Sequence, residues 1–375
     1  MGFASAESVV FYYFYFAWHI AYSLIQTMKQ SFVNAQQLPL IIEPNGSGNS
    51  KQELLQWMQS NKAELEKKFF QHGAILFRGF DIDTPKAFED VSMQVDNRLR
   101  NDYYGTSPRN IVKDTNFVYT ASELPGYYPI PQHCEMTYVK HPPISIFFYC
   151  HVEPTYGGES PLCNFRKVYA DMNPKIRDEF DKKGVLTVRN YSNPAINNPF
   201  NLFQLKKWNE IFHTNDKAEV EKQCREQEID FKWMKDDNLR LTHLTPATIK
   251  HPVTGETVWF NHSQVFHPAS APVEYKFIHA RQQRTKTFFW KTLIAAMVQI
   301  KSLHTKPIDQ SMNVLFGDNT PVPDSYMQHI EEVIWKNMVI LPWKKNDVIA
   351  VDNFSTSHGR LPYEGEREIL VCWSA

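Results

Sequence analysis

His133 and Glu135 stand two residues apart in Gln132-His133-Cys134-Glu135-Met136-Thr137-Tyr138, and a second histidine, His358, stands far downstream in Ser357-His358-Gly359-Arg360. On a β-strand, residues i and i+2 point to the same face. His133 and Glu135 are therefore expected to point one way, with Cys134 turned away. If His358 joins them, distant parts of the polypeptide converge on one point and bracket the core between them. One catalytic domain then fits better than two.

Between these motifs the chain reads as short strands with interspersed helices. Ile144 to His151, ISIFFYCH, is strongly apolar and bounded by Pro142-Pro143 and Pro154, as a central strand is. Gly73 to Phe80, Val185 to Asn190, Glu256 to Asn261, Met338 to Leu341, Asp347 to Val351 and Arg367 to Trp373 also read as strands. Gln52 to Gln71 has helical spacing, with Leu54, Leu55, Met58, Leu65, Phe69 and Phe70 on one side. Thr84 to Arg98, Phe165 to Lys183, Pro272 to Gln299 and Ser325 to Asn337 are further predicted helices. Residues 191–215, rich in asparagine, proline and aromatics, read as a lid-like insertion. The pattern predicts an α+β or mainly β fold: a double-sheet jelly roll, or double-stranded β-helix, with helical decoration.

Composition narrows the partners. A net charge of −1 offers no basic field for nucleic acid, and no acidic run suggests a disordered tail. The five cysteines include no C-x-x-C pair, so a reducing, cytoplasmic setting fits better than a disulfide framework. Val9 to Ile25 is nearly continuous apolar sequence, at the short limit for a membrane span and interrupted by His19. Residues 1–30 accordingly read as a membrane or partner anchor, an appended helix, or the product of a start upstream of Met28. Residues 31–375 read as one jelly-roll domain.

Two neutral histidines and one carboxylate hold an ion on one side and leave its other positions open. This is the set used by non-heme Fe(II) oxygenases. A hydrophobic strand, Asp347 to Val351, delivers His358. Arg367 follows nine residues later at the start of another strand. A guanidinium there suits a carboxylate-bearing co-substrate, through a two-pronged charge-assisted pair. The alternative for Arg367 is a surface residue paired with Glu364, Glu366 or Glu368. A zinc hydrolase using the same three groups stays open, although the helical H-E-x-x-H presentation is absent. So does a non-catalytic binding protein.

Several ordered stretches resemble the Fe(II)/2-oxoglutarate-dependent dioxygenases of the taurine dioxygenase-like superfamily, most closely the clavaminate synthase-like branch that uses H-x-E. They are GAILFRGF (Gly73 to Phe80), HCEMTY (His133 to Tyr138), GGESP (Gly157 to Pro161), VWFNH (Val258 to His262) and the stretch Leu341 to Arg367. The resemblance implies that His133, Glu135 and His358 bind Fe(II) and that Arg367 holds the distal carboxylate of 2-oxoglutarate. It also implies that Ser160 assists Arg367 where relatives carry threonine. The implied reaction consumes O2 and 2-oxoglutarate, releases succinate and CO2, and removes hydrogen from an unactivated C–H bond. Retention of Glu135 argues for hydroxylation over halogenation. Relatives in this branch often oxidise amino acids, free or attached to a carrier protein, which implies an amino-acid-like small-molecule substrate. Tyr104, Arg109, Gln132, Asn261, His262 and Arg360 lie in or beside the motifs as candidate pocket residues. Arg360 is expected either to neutralise a substrate carboxylate or to brace the site.

Overall fold

The computed structural model describes residues 28–46, 48–101, 109–122, 124–196 and 207–375. The apolar run Ser145–Val152 is a central strand, paired antiparallel with Val348–Asp352 on one side and Glu368–Ser374 on the other. The sheet extends from Val348–Asp352 through Ala74–Phe77 and Leu40–Glu43 to Lys29–Phe32, and from Glu368–Ser374 to Leu99–Arg100. Leu40–Glu43 and Ala74–Phe77 run parallel, which requires a crossover. The helices Lys51–Ser60 and Lys62–His72 provide it.

Alternation along these strands sorts the side chains into two layers. Ile75, Phe77, Phe147, Tyr149, Val348, Ala350, Leu370 and Cys372 pack against the helical residues Leu54, Trp57, Met58, Leu65, Phe69, Phe88 and Val91. The opposite set, including Leu76, Ile146, Phe148, Ile349, Val351, Ile369 and Val371, meets Leu162 and Val339 of a second sheet. That second sheet is Met338–Val339, Leu162–Asn164, Thr356–Arg360 and Ile130–His133 in spatial order. Behind it, Cys163 and Phe165 pack on Met327, Ile330 and Ile334 of the helix Asp324–Asn337. Two sheets thus enclose a common interior, with helices on their outer faces.

Several predicted elements differ in detail. The helix expected over residues 52–71 is broken at Asn61, whose side-chain amide donates to the Trp57 carbonyl at 2.8 Å and ends the first helix. The helix expected over 165–183 is two, Phe165–Asp171 and Pro174–Lys183. Asn173 caps the second, with Pro174 at its start. The helix expected over 272–299 divides into Ser270–Gln282 and Thr285–His304 at Gln283, a left-handed residue at φ 49°. A third sheet, unforeseen except for Val185–Tyr191, orders Asp230–Trp233, Leu239–Thr245, Val185–Tyr191 and Met312–Phe316, all antiparallel.

The lid-like insertion is only partly loop. Trp208–Phe212 is a short helix, and Trp208 is buried with Tyr191, Val220 and Leu241; residues 197–206 of the insertion lie outside the described residues. The apolar run Val9 to Ile25 also lies outside them. Among the described residues no helix is long and apolar enough to cross a membrane. All five cysteines are free and buried.

Candidate active site

The pairing of Thr356–Arg360 with Ile130–His133 sets His358 directly opposite His133. Cross-strand neighbours have touching side chains, and these two rings have centroids 4.4 Å apart. One ligand atom from each of His133, Glu135 and His358 lies within 4.8 Å of the other two. The Nε2 atoms of His133 and His358 stand 3.9 and 3.8 Å from Glu135 Oε2. His133 Nδ1 donates to the Pro131 carbonyl at 2.9 Å, because a carbonyl can only accept; Nε2 therefore presents its lone pair. The His358 ring rests 4.8 Å from that of Phe148, so the cluster opens between the two sheets.

The convergence arises differently from the strand geometry expected. The strand ends at His133, and Glu135 belongs to a turn in which Met136 takes φ 55°. A left-handed methionine is strained, and Asn353 holds the turn. Its side-chain oxygen accepts from Glu135 N–H at 2.6 Å, and its amide donates to the Glu135 and Pro143 carbonyls at 3.0 and 2.8 Å. Cys134 is turned into the core, as expected.

Burial alone would raise the Glu135 carboxyl. The Arg109 guanidinium, with the neighbouring imidazoles of His358 and His133, outweighs burial and holds the group well below the usual carboxylate range. Arg109 donates to Glu135 Oε2 at 3.0 Å. Burial, then the charge of His133, lowers His358 to about 4, so its imidazole is neutral and able to ligate at neutral pH. The donor set therefore suits a divalent ion: two ring nitrogens and an ionised carboxylate, already aimed together.

Arg367 and Ser160 form a second constellation. Arg367 Nε donates to the Gly158 carbonyl at 2.9 Å, and its terminal nitrogen approaches Ser160 Oγ at 3.4 Å. Trp343 Nε1 also donates to Ser160 Oγ, at 3.2 Å. With both donors on its oxygen, the Ser160 hydroxyl keeps its own proton for an arriving acceptor. Burial, then the neighbouring charge of Arg360, lowers Arg367 to about 10. None of the glutamates weighed as partners at the sequence level forms an ion pair with Arg367 among the described residues. Gly158 makes room for this arginine: at φ +69° a side chain there is strained, and its Cβ would stand 2.9 Å from Tyr363 Cβ and 3.0 Å from Arg367 Cδ.

The other candidate pocket residues are mostly committed to the fold. Gln132 donates to the Pro161 carbonyl and accepts from Ser357. Asn261 donates to the Ala247 carbonyl and accepts from Ser263 N–H. Arg360 is committed to backbone carbonyls. It donates to the carbonyls of Ser122, Leu124, Pro125 and Tyr128 and so shapes that loop. Arg109 joins the ligand cluster through Glu135 rather than lining a pocket apart from it. His262 is buried, shares a 2.5 Å hydrogen bond with Thr137 Oγ1 and lies 5.7 Å from the His133 ring. Tyr104 lies outside the described residues.

Sequence reasoning missed Asn353, Trp343 and the pairing of Arg109 with Glu135. Asn353 and Trp343 lie within the Leu341 to Arg367 stretch, whose only singled-out residues were His358, Arg360 and Arg367. The signal was present without a reason to choose them, since their partners are backbone or distant side chains.

The family model described as taurine catabolism dioxygenase TauD, TfdA family matches residues 39–373. The chain is 30% identical to the dapdiamide synthesis protein DdaC of Enterobacter agglomerans, over 82% of this chain and 83% of that protein. It is 25% identical to a clavaminate synthase-like protein of Arabidopsis thaliana, over 92% of this chain and 95% of that one. Among solved structures, AAD-2 in complex with Mn(II) and N-oxalylglycine shares 12% identity at a TM-score of 0.50, covering 93% of this chain and 97% of that chain. At that identity the likeness speaks to the fold.

Proposed function

The chain belongs to the TauD, TfdA family of dioxygenases, and on that premise we propose that it hydroxylates an unactivated C–H bond of an amino-acid-like small molecule, using Fe(II), O2 and 2-oxoglutarate, within a double-stranded β-helix. The observation that carries this reading is the convergence of His133, Glu135 and His358. The chemistry supplied by bound iron and 2-oxoglutarate is O2 activation, coupled to loss of CO2 and formation of succinate.

The protein's part is to bind, orient and exclude water. His133 and His358 offer Nε2, and Glu135 offers one carboxylate oxygen. Arg109 bonds to the same carboxylate and restrains its orientation. Arg367 is poised to pair with the distal carboxylate of 2-oxoglutarate, with the Ser160 hydroxyl as an additional donor. The name of the dapdiamide synthesis protein supports an amino-acid-related substrate class.

The test is anaerobic reconstitution with Fe(II) and 2-oxoglutarate, followed by admission of O2 with candidate amino acids. Succinate release that depends on iron and on one of the candidates supports the reading. Persistent zinc with no 2-oxoglutarate binding refutes it in favour of a hydrolase.

A further inference from the structure

Arg189, on the strand Val185–Tyr191, is 4% exposed. Among the described residues no carboxylate forms an ion pair with it and no group accepts a hydrogen bond from its guanidinium. Its nitrogens are not among the polar atoms sealed inside the protein, so they open on accessible space. The contact it does make is with the face of Tyr138, 5.1 Å from guanidinium carbon to ring centroid. Tyr138 belongs to the turn that carries Glu135. Its ring lies 5.1 Å from that of His262, which in turn lies 5.7 Å from that of His133. His243, on the adjacent strand Leu239–Thr245, has an unpartnered Nδ1. Of the acids whose charge reaches His243, Glu228 pairs with Lys140 and Asp230 faces solvent.

Magnitudes decide what this means. Withdrawing a guanidinium from most of its water without a counter-charge costs up to several kcal/mol, even where, as here, its nitrogens keep a narrow opening. A cation–π contact returns about 0.5–2 kcal/mol. Packing alone therefore leaves a deficit that an anion would offset.

We propose that Arg189 is the substrate-anchoring residue, receiving a free carboxylate of the substrate in a subsite that extends from the metal cluster past His262 and Tyr138. This rests on the oxygenase reading and sharpens it. An acid tethered to a carrier through that carboxyl group has no anion left to present. The subsite therefore favours a free acid over a thioester.

The test uses the full chain, loaded anaerobically with Fe(II) and 2-oxoglutarate, whose chelate absorbs visible light. The probes are the L-amino acids and their primary amides, titrated against that absorption. At least one amino acid is expected to shift the band, with its amide binding roughly 30- to 1,000-fold more weakly, the scale of a lost charge pair. Arg189→Gln should reproduce that loss for the acid while leaving iron and 2-oxoglutarate affinity unchanged. Arg189→Lys should restore part of it, which also controls for folding. Equal binding of acid and amide overturns the assignment. So does parallel weakening of 2-oxoglutarate in Arg189→Gln, or a band that forms but responds to no amino acid. If the band never forms, the oxygenase reading fails and this assignment falls with it.

Discussion

The chemistry concentrates in a few side chains whose partners define distinct failures. His133→Ala and His358→Ala are expected to abolish iron-dependent succinate release while melting near the unaltered protein; full activity in either removes that residue from the ligand set. Arg367→Ala should raise the 2-oxoglutarate dissociation constant by roughly 30-fold or more, the scale of a lost charge-assisted pair, with little change in iron affinity measured by titration. Arg109 yields a less obvious expectation. Replacing it with leucine strands a buried carboxylate, which costs about 3–5 kcal/mol when a buried pair is broken. A divalent ion would supply the missing positive charge. Thermal melts should therefore show Arg109→Leu strongly destabilised without metal and partly rescued by Mn(II). Equal destabilisation with and without metal would show that Arg109 matters only for packing.

At the scale of elements, the helices Ser270–Gln282 and Asp324–Asn337 pack with two buried carboxyls between them. Burial pushes Glu274 up to about 7, where it accepts from Trp335 Nε1 at 2.5 Å. Burial, then the charge of Glu274, raises Glu331 well above its ordinary value. Raised carboxyls bind more protons in the folded than in the unfolded chain. Stability from this pair is therefore greatest below the unfolded value of 4.5 and declines as pH rises toward about 7. Glu274→Gln should flatten that slope and raise Tm at pH 8 by about one to two degrees, the effect of on the order of 1 kcal/mol in a chain of 375 residues. An unchanged difference in Tm between pH 5 and pH 8 would contradict it. The same scale explains the divided helices. Apolar periodicity continues across Asn61, Asn173 and Gln283, yet a side-chain bond, a proline start and a left-handed residue interrupt the hydrogen-bond ladder there. Periodicity reports which face is buried and is silent on such interruptions.

Across the whole molecule, Asp352 ties the turn before His358 to remote segments. It accepts from His251 Nε2 at 2.9 Å, from Arg166 at 3.4 Å and from the Ser355 hydroxyl, while Arg166 also donates to the Phe70 carbonyl. Asp352→Ala should destabilise the fold by about 3–5 kcal/mol, because it strands buried polar partners, as measured by chemical denaturation; a loss below about 1 kcal/mol would demote this hub to a surface-like contact. The central strand, the two-residue spacing of His133 and Glu135, His358 behind its apolar run and the arginine that follows were all legible in the sequence. Each depends on local alternation or on chemistry that a residue carries wherever it sits. Only the tertiary structure decided that Arg360 serves loop carbonyls, that Arg109 pairs with Glu135, that Asn353 holds the Glu135 turn and that no acid among the described residues pairs with Arg189. Those outcomes depend on which strands become neighbours, and sheet register brings together residues that no local pattern relates.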